Sequence, residues 1–144
     1  MIAVDTNILI YAHRNDSPWH SKANTCVRSL AEGRQSWAIP WPCIHEFIAV
    51  VTNPKIMKPV TPTTIAVVQV EAWIESGRLS LLAESDSHWI ALKNLFAAGA
   101  IVGAQVHDAR IAALCLQHGV SELWTADRDF TRFPALRTRN PLVS

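Results

Sequence analysis

The feature that most restricts this chain is a regular alternation of short apolar runs with longer stretches of helical period. Ile2 to Val4 is apolar, ends abruptly at Asp5 and reads as a buried strand. Thr6 and Asn7 are placed to cap a helix from Ile8 to Arg14. Ser17-Pro18 opens a second helix to about Glu32, with Pro18 at its first position and Gly33 closing it. Trp37 to Ile39 is a second strand, broken by Pro40-Trp41-Pro42. A third helix starts at Pro42, carries Ile44, Phe47, Ile48 and Val51 on one face, and stops at Asn53-Pro54. Further on, a helix is expected over Pro62 to Ser76 and a strand over Leu79 to Leu82. Then come a helix capped by Asp86 and running to Ala98, and one from Gln105 to His118. Glu122 to Thr125 is a strand, Asp129 to Phe133 a helical turn, and Leu136 to Arg139 a last edge strand. This order predicts an α/β fold of three α/β/α layers, with a central, mainly parallel sheet of four to five strands in a single domain over residues 1–144. Ligands of such folds bind at the carboxyl ends of the strands.

Composition narrows the class. Hydrophobic residues are 49% and charged residues 17%, the opposite of a disordered chain. A formal net charge of +1 excludes a histone-like polycation and an acidic tail, but not a local basic patch. Cys26, Cys43 and Cys115 form no CxxC pair, which argues against a disulfide framework or structural zinc and for a reducing compartment. The N-terminal apolar run is too short for a signal peptide, and no stretch reaches the roughly 20 apolar residues of a membrane span. A soluble cytoplasmic protein with no membrane association is the expectation.

Four acids stand where strand ends meet helix starts. Asp5 follows the first strand, Asp127 follows the fourth, Glu46 lies one turn into the helix after the second, and Asp108 opens the helix before the fourth. Each has an ordinary use alone: Asp5 as a helix cap, Glu46 as a solvated side chain, Asp108 as a first-turn acid, Asp127 in an Asx turn. Together, in a parallel sheet, they meet at one edge. Converging carboxylates raise one another's pKa, and a divalent cation relieves that conflict. Oxygen-only ligands favour Mg²⁺ or Mn²⁺ over zinc. A hard cation held this way, with waters left on it, suits phosphodiester hydrolysis.

Four segments carry a family resemblance: Ile2 to Tyr11 (IAVDTNILIY), Trp41 to Phe47 (WPCIHEF), Val106 to Ala113 (VHDARIAA) and Leu123 to Phe130 (LWTADRDF). In order and spacing they resemble PIN-domain ribonucleases, in particular VapC-type toxins of type II toxin–antitoxin pairs, over essentially the whole chain. The resemblance implies a PIN-like nuclease domain with Asp5, Glu46, Asp108 and Asp127 as its catalytic, metal-holding acids, Asp5 and Asp108 foremost. It puts Thr125 at a position where a hydroxyl is favoured. Asp129 competes with Asp127 for the fourth acidic place, and the motif leaves that choice open. A metal-dependent endoribonuclease toxin acting on cellular RNA, tRNA or rRNA, is implied, with a cognate antitoxin as partner. The alternatives are a PIN-like module that binds RNA without cutting it, and an Asp-based phosphotransfer domain. The second lacks the extra acids beside Asp5 and any Lys after Lys93.

With four site acids neutralised, 13 basic side chains face 8 remaining acids. Arg14, Arg110, Arg128 and Arg132 are candidate RNA phosphate contacts, since Arg binds phosphate bidentately. Trp37, Trp73 and Trp124 fall inside elements and belong to the core, whereas Trp19 and Trp41 stand at helix starts. The helix from Pro62 to Ser76 is apolar nearly all round, with only Gln69, Glu71 and Glu75 as polar cover. Part of it should be covered by another chain, in a homodimer or by the antitoxin, and charges at Val67 or Val70 should weaken that association.

Overall fold

Strands buried on both faces read as unbroken apolar runs, and here Ala3, Val4, Trp37, Ala38, Ile39 and Leu123 are all 0% exposed. The computed structural model describes residues 1–143; Ser144, the last residue of the expected domain span, lies outside them. Five strands, β1 (Ile2–Val4), β2 (Trp37–Pro40), β3 (Leu79–Leu82), β4 (Glu122–Trp124) and β5 (Thr138–Arg139), form one parallel sheet in the order β3-β2-β1-β4-β5. Ile2 pairs with Trp37 on one side and Glu122 on the other. The helices α1 (Thr6–His13), α2 (His20–Ala31), α3 (Trp41–Val51) and α4 (Thr63–Ile74) pack on one another over one face. Helices α5 (His88–Ala98) and α6 (Gln105–Gln117) pair over the other. Right-handed crossovers require this split, because the chain moves outward from β1 to β3 and then returns across the sheet to β4. The return makes a switch point between β1 and β4, where a crevice opens at the carboxyl ends of the strands.

Element positions agree with the sequence reading, and several starts do not. Helix α1 begins at Thr6, because Asp5 itself is its cap, its Oδ1 accepting the Thr6 amide at 2.8 Å. Helix α2 begins after Trp19; Ser17 Oγ accepts the Trp19 amide, so Pro18 lies in the preceding turn and not at the first helical position. Strand β2 includes the buried Pro40, which then leads straight into α3. Asp86 caps nothing: α5 starts after Ser87 with no side-chain cap. A 3-10 helix over Arg128–Arg132 is capped by Asp127, one residue earlier than expected, and β5 is only two residues long.

Aromatic edges tie α1, α3 and α4 together, with His13 to Phe47 ring centroids at 5.4 Å and Phe47 to Trp73 at 4.9 Å. Helix α4 turns Ala66, Val70 and Trp73 inward, while Ile65, Val67, Val68 and Ile74 stay 41–60% exposed. Val70 is therefore a core residue, and a charge there attacks the fold, not an outer surface. Trp37 and Trp73 are buried, Trp124 is half-buried, and Trp19 is exposed.

Candidate active site

Asp5 has to cap α1 and end β1 at once, so its carboxylate is drawn into the protein and is 4% exposed. Four donors hold it. Oδ1 accepts from the Thr6 amide at 2.8 Å and from Cys43 Sγ at 3.5 Å. Oδ2 accepts from the Thr125 hydroxyl at 2.7 Å and from Asn7 Nδ2 at 3.3 Å. Asn7 also donates to Thr125 Oγ1 at 3.3 Å and accepts the Ala126 amide at 3.1 Å, so it ties the end of β1 to the segment after β4. Burial raises the Asp5 pKa, the hydrogen bonds oppose it, and the nearby charge of Glu46 adds to the rise.

Asp108 comes to the same crevice because α6 runs antiparallel to β4 and starts at the sheet's carboxyl edge. Asp127 and Asp129 follow β4, with Asp127 Oδ1 accepting the Asp129 amide at 2.8 Å. Asp108, Asp127 and Asp129 each bring an oxygen to within 4.8 Å of the others. The Asp108 pKa is pushed up to about 6, first by burial, then by the charges of Asp127, Asp5, Asp129 and Glu46 in that order. The structure thus brings five carboxylates into one field. Its tightest group is Asp108 with both Asp127 and Asp129; Asp5 and Glu46 stand around it. Glu46 is exposed on α3, and its charge is felt by both Asp5 and Asp108. An oxygen-only donor set whose members raise one another's pKa is the arrangement a hard divalent cation fits.

The arginines divide. Arg14 is 8% exposed at the far end of α1, with Nε and Nη2 on Asp16 at 2.9 and 2.7 Å and Nη1 on Thr61 at 3.2 Å. Its planar fork is spent inside the protein, so the sequence expectation of an RNA phosphate contact is corrected for this residue: Arg14 locks α1 to the loop before α4. Arg110 pairs with Glu84, Nε to Oε1, at 2.6 Å, and stands half-exposed beside Glu46. Arg128 and Arg132 are exposed on the 3-10 helix. Arg128 lines a cleft of about 220 Å³ with Thr125, Asp127, Thr131, Arg139 and Asn140 on the other side of the acids.

Sequence reasoning missed two site residues. By sequence Asn7 reads as a helix cap and Cys43 as a free thiol. The signal for Asn7 was its place two residues after Asp5; no sequence signal marked Cys43, whose thiol is buried against Asp5 and pushed far above its ordinary pKa by that burial.

The family model described as PIN domain matches residues 2–136. Over 142 residues the chain is 33% identical to VapC ribonuclease Mb2897 of Mycobacterium bovis, covering 99% of this chain and 96% of that one. A chain of VapBC2 from Rickettsia felis, solved bound to a DNA fragment from its promoter, is similar with a TM-score of 0.69 at 21% identity, covering 97% and 98% of the two chains. Mycobacterium tuberculosis VapC20, described as a sarcin-ricin loop cleaving toxin, is similar with a TM-score of 0.66 at 15% identity, covering 91% and 93%. At those identities the last two likenesses are of fold.

Proposed function

The chain belongs to the PIN-domain family, among its VapC-type ribonucleases, and from that premise we propose that it is a metal-dependent endoribonuclease acting as the toxin of a toxin–antitoxin pair. It would inhibit growth by cutting cellular RNA in the cytoplasm, with tRNA or rRNA as the substrate class. The observation that carries this reading is the meeting of Asp108, Asp127 and Asp129 at the switch point, with Asp5 and Glu46 beside them. Asp108, Asp127 and Asp129 would hold Mg²⁺ or Mn²⁺, with Asp5 and Glu46 completing the set through waters; the ion supplies positive charge for the phosphate oxygens and Lewis acidity for a nucleophilic water.

The chain's own groups do the rest. The bonds from Thr6, Cys43, Thr125 and Asn7 fix Asp5 in one orientation, so the acidic pocket is set before substrate arrives. Arg128, in the cleft with Asp127, and Arg110, in the cavity with Glu46, would receive phosphates of an RNA strand laid across the sheet edge. Glu46, exposed on α3, is the group open to accept a proton at Oε from water on that side.

A homodimer and an antitoxin partner belong to the same proposal. The exposed Ile65, Val67, Val68 and Ile74 of α4 give this chain an apolar face to cover, and the similar Rickettsia felis chain was solved as part of VapBC2. A phosphotransfer role is disfavoured by Asp5 itself: its two oxygens are taken by four donors and it is nearly closed to solvent. Among the described residues no helix is long and apolar enough to cross a membrane.

Purified protein is expected to cut RNA with Mg²⁺ or Mn²⁺ and to stop in EDTA, and Asp108→Asn is expected to be inactive under both conditions. Undiminished cutting in EDTA overturns the metal mechanism. RNA binding without cutting by the wild type under any divalent ion selects the non-cleaving alternative. In a bacterium, induced wild type should arrest growth and degrade RNA where Asp5→Asn does neither.

A further inference from the structure

Beside the acids, between α3 and α6, a cavity of about 260 Å³ opens to solvent. Pro42, Ala49 and Ile111 line it with apolar surface, and His45, His107 and Arg110 bring nitrogen donors. Glu46 also lines it, and Glu46 is one of the charges felt by Asp5 and Asp108, so the cavity adjoins the acidic crevice. We propose that this cavity is a nucleotide subsite that seats one unpaired base of an RNA substrate next to the phosphate to be cut; this rests on the ribonuclease reading above.

Size sets the first limit. Pockets for whole drug-sized ligands run to roughly 300–1,000 Å³, so this one takes a single nucleotide unit and not a helix. The lining sets the second. Pro42, Ala49 and Ile111 give a neutral flat base apolar contact, while Arg110 in the same lining is the cation for its phosphate. The His45 ring lies 6.0 Å from that of Trp41 at 35°, so Trp41 braces it as a stacking edge. Arg110 is held by Glu84 through Nε, which leaves its terminal nitrogens for the phosphate attached to the seated base. A base can enter only if it is unpaired, as in a loop or a single strand. The subsite would therefore select loops over duplexes and set which phosphate lies at Asp108.

The test fills the cavity without touching the acids. Ala49 is exposed on α3, so Ala49→Phe blocks the slot with the core intact, and His45→Ala removes the stacking edge. Binding of a short fluorescein-labelled single-stranded RNA is followed by anisotropy in Ca²⁺, with Mn²⁺ binding by calorimetry and folding by circular dichroism. Both variants should weaken RNA binding about tenfold, the size of one lost base–aromatic stack, with Mn²⁺ affinity and folding unchanged. Unchanged RNA affinity in both variants overturns the subsite. Cutting assays in Mn²⁺ on the same preparations test the other reading separately: a wild type that binds RNA through this cavity yet never cuts leaves the subsite standing and removes the nuclease.

Discussion

Asp5 and Asp108 carry the same charge into the same crevice and should respond oppositely to losing it. In the metal-free protein Asp108 has an ordinary unfolded pKa of 3.8 and a folded pKa of about 6. A folded carboxyl with a raised pKa destabilises only when ionised: the penalty is absent below the unfolded value and complete above the folded one. Metal-free stability should therefore fall between about pH 4 and pH 6 on account of this residue. Asp108→Asn removes the penalty, so its thermal midpoint at pH 7 should exceed the wild type's by roughly 3 °C, and the gap should close toward pH 4 in calorimetry. Asp5 also has a raised pKa, from burial, but Asp5→Asn would turn an amide toward Asn7 Nδ2 and leave one oxygen for donors that now share two. The lost bonds outweigh the relief of charge, and a destabilisation of about 1–2 kcal/mol is expected by urea unfolding. The two variants should share a loss of cleavage and differ in the sign of their stability change.

At the scale of elements, α1 is fixed at both ends by polar contacts, and its far end is a latch. Arg14→Ala leaves a half-exposed Asp16 and takes from Thr61 Oγ1 one of its two partners, His13 being the other, so it should cost about 2 kcal/mol in urea unfolding while RNA cleavage per folded molecule is unchanged. That contrast separates a structural Arg from Arg128. Helix α4 offers another: Val68→Glu, on a residue 60% exposed, should keep the fold and lose the proposed dimer in sedimentation velocity, whereas Val70→Asp, on a residue 8% exposed, should fail to fold. These elements also mark the reach of sequence reading. The strands at Ile2 and Trp37 are legible because each is a short apolar run bounded by breaks, as a strand buried on both faces must be, and Asp5, Asp108 and Asp127 are legible because each stands at or near the end of an element. Helix starts were misjudged where one residue serves two ends, as Asp5 does, or where a turn precedes the helix, as at Pro18. Arg14 was misassigned because a buried fork and an RNA-binding fork have the same one-letter code; only Asp16 and Thr61, folded around it, tell them apart. The place of Asp129 beside Asp127 was beyond the motif because a 3-10 turn, not the strand, orients both.

Over the whole molecule, a formal charge of +1 conceals a separation: acids gather in the crevice, and Arg110 and Arg128 flank it. RNA affinity should fall as salt rises, because each neutralised phosphate releases counterions. Arg128→Ala should reduce the slope of log Kd against log salt by about 0.7, the value for one single-strand phosphate contact, with Mn²⁺ binding unchanged; equal slopes would remove Arg128 from the RNA path. The central strand has a further consequence. Its neighbours come from far along the chain, Ile2 meeting Trp37 on one side and Glu122 on the other, and Asp5 is held by Thr125. A chain emerging from the ribosome carries Asp5 and Glu46 early, but Asp108, Asp127 and Asp129 only near the end of synthesis. Until then β1 has an open flank and the crevice has one wall. On the nuclease reading proposed above, a polypeptide abandoned before residue 125 lacks the assembled acids and should cut no RNA, and activity should arise all at once, when the last strands dock.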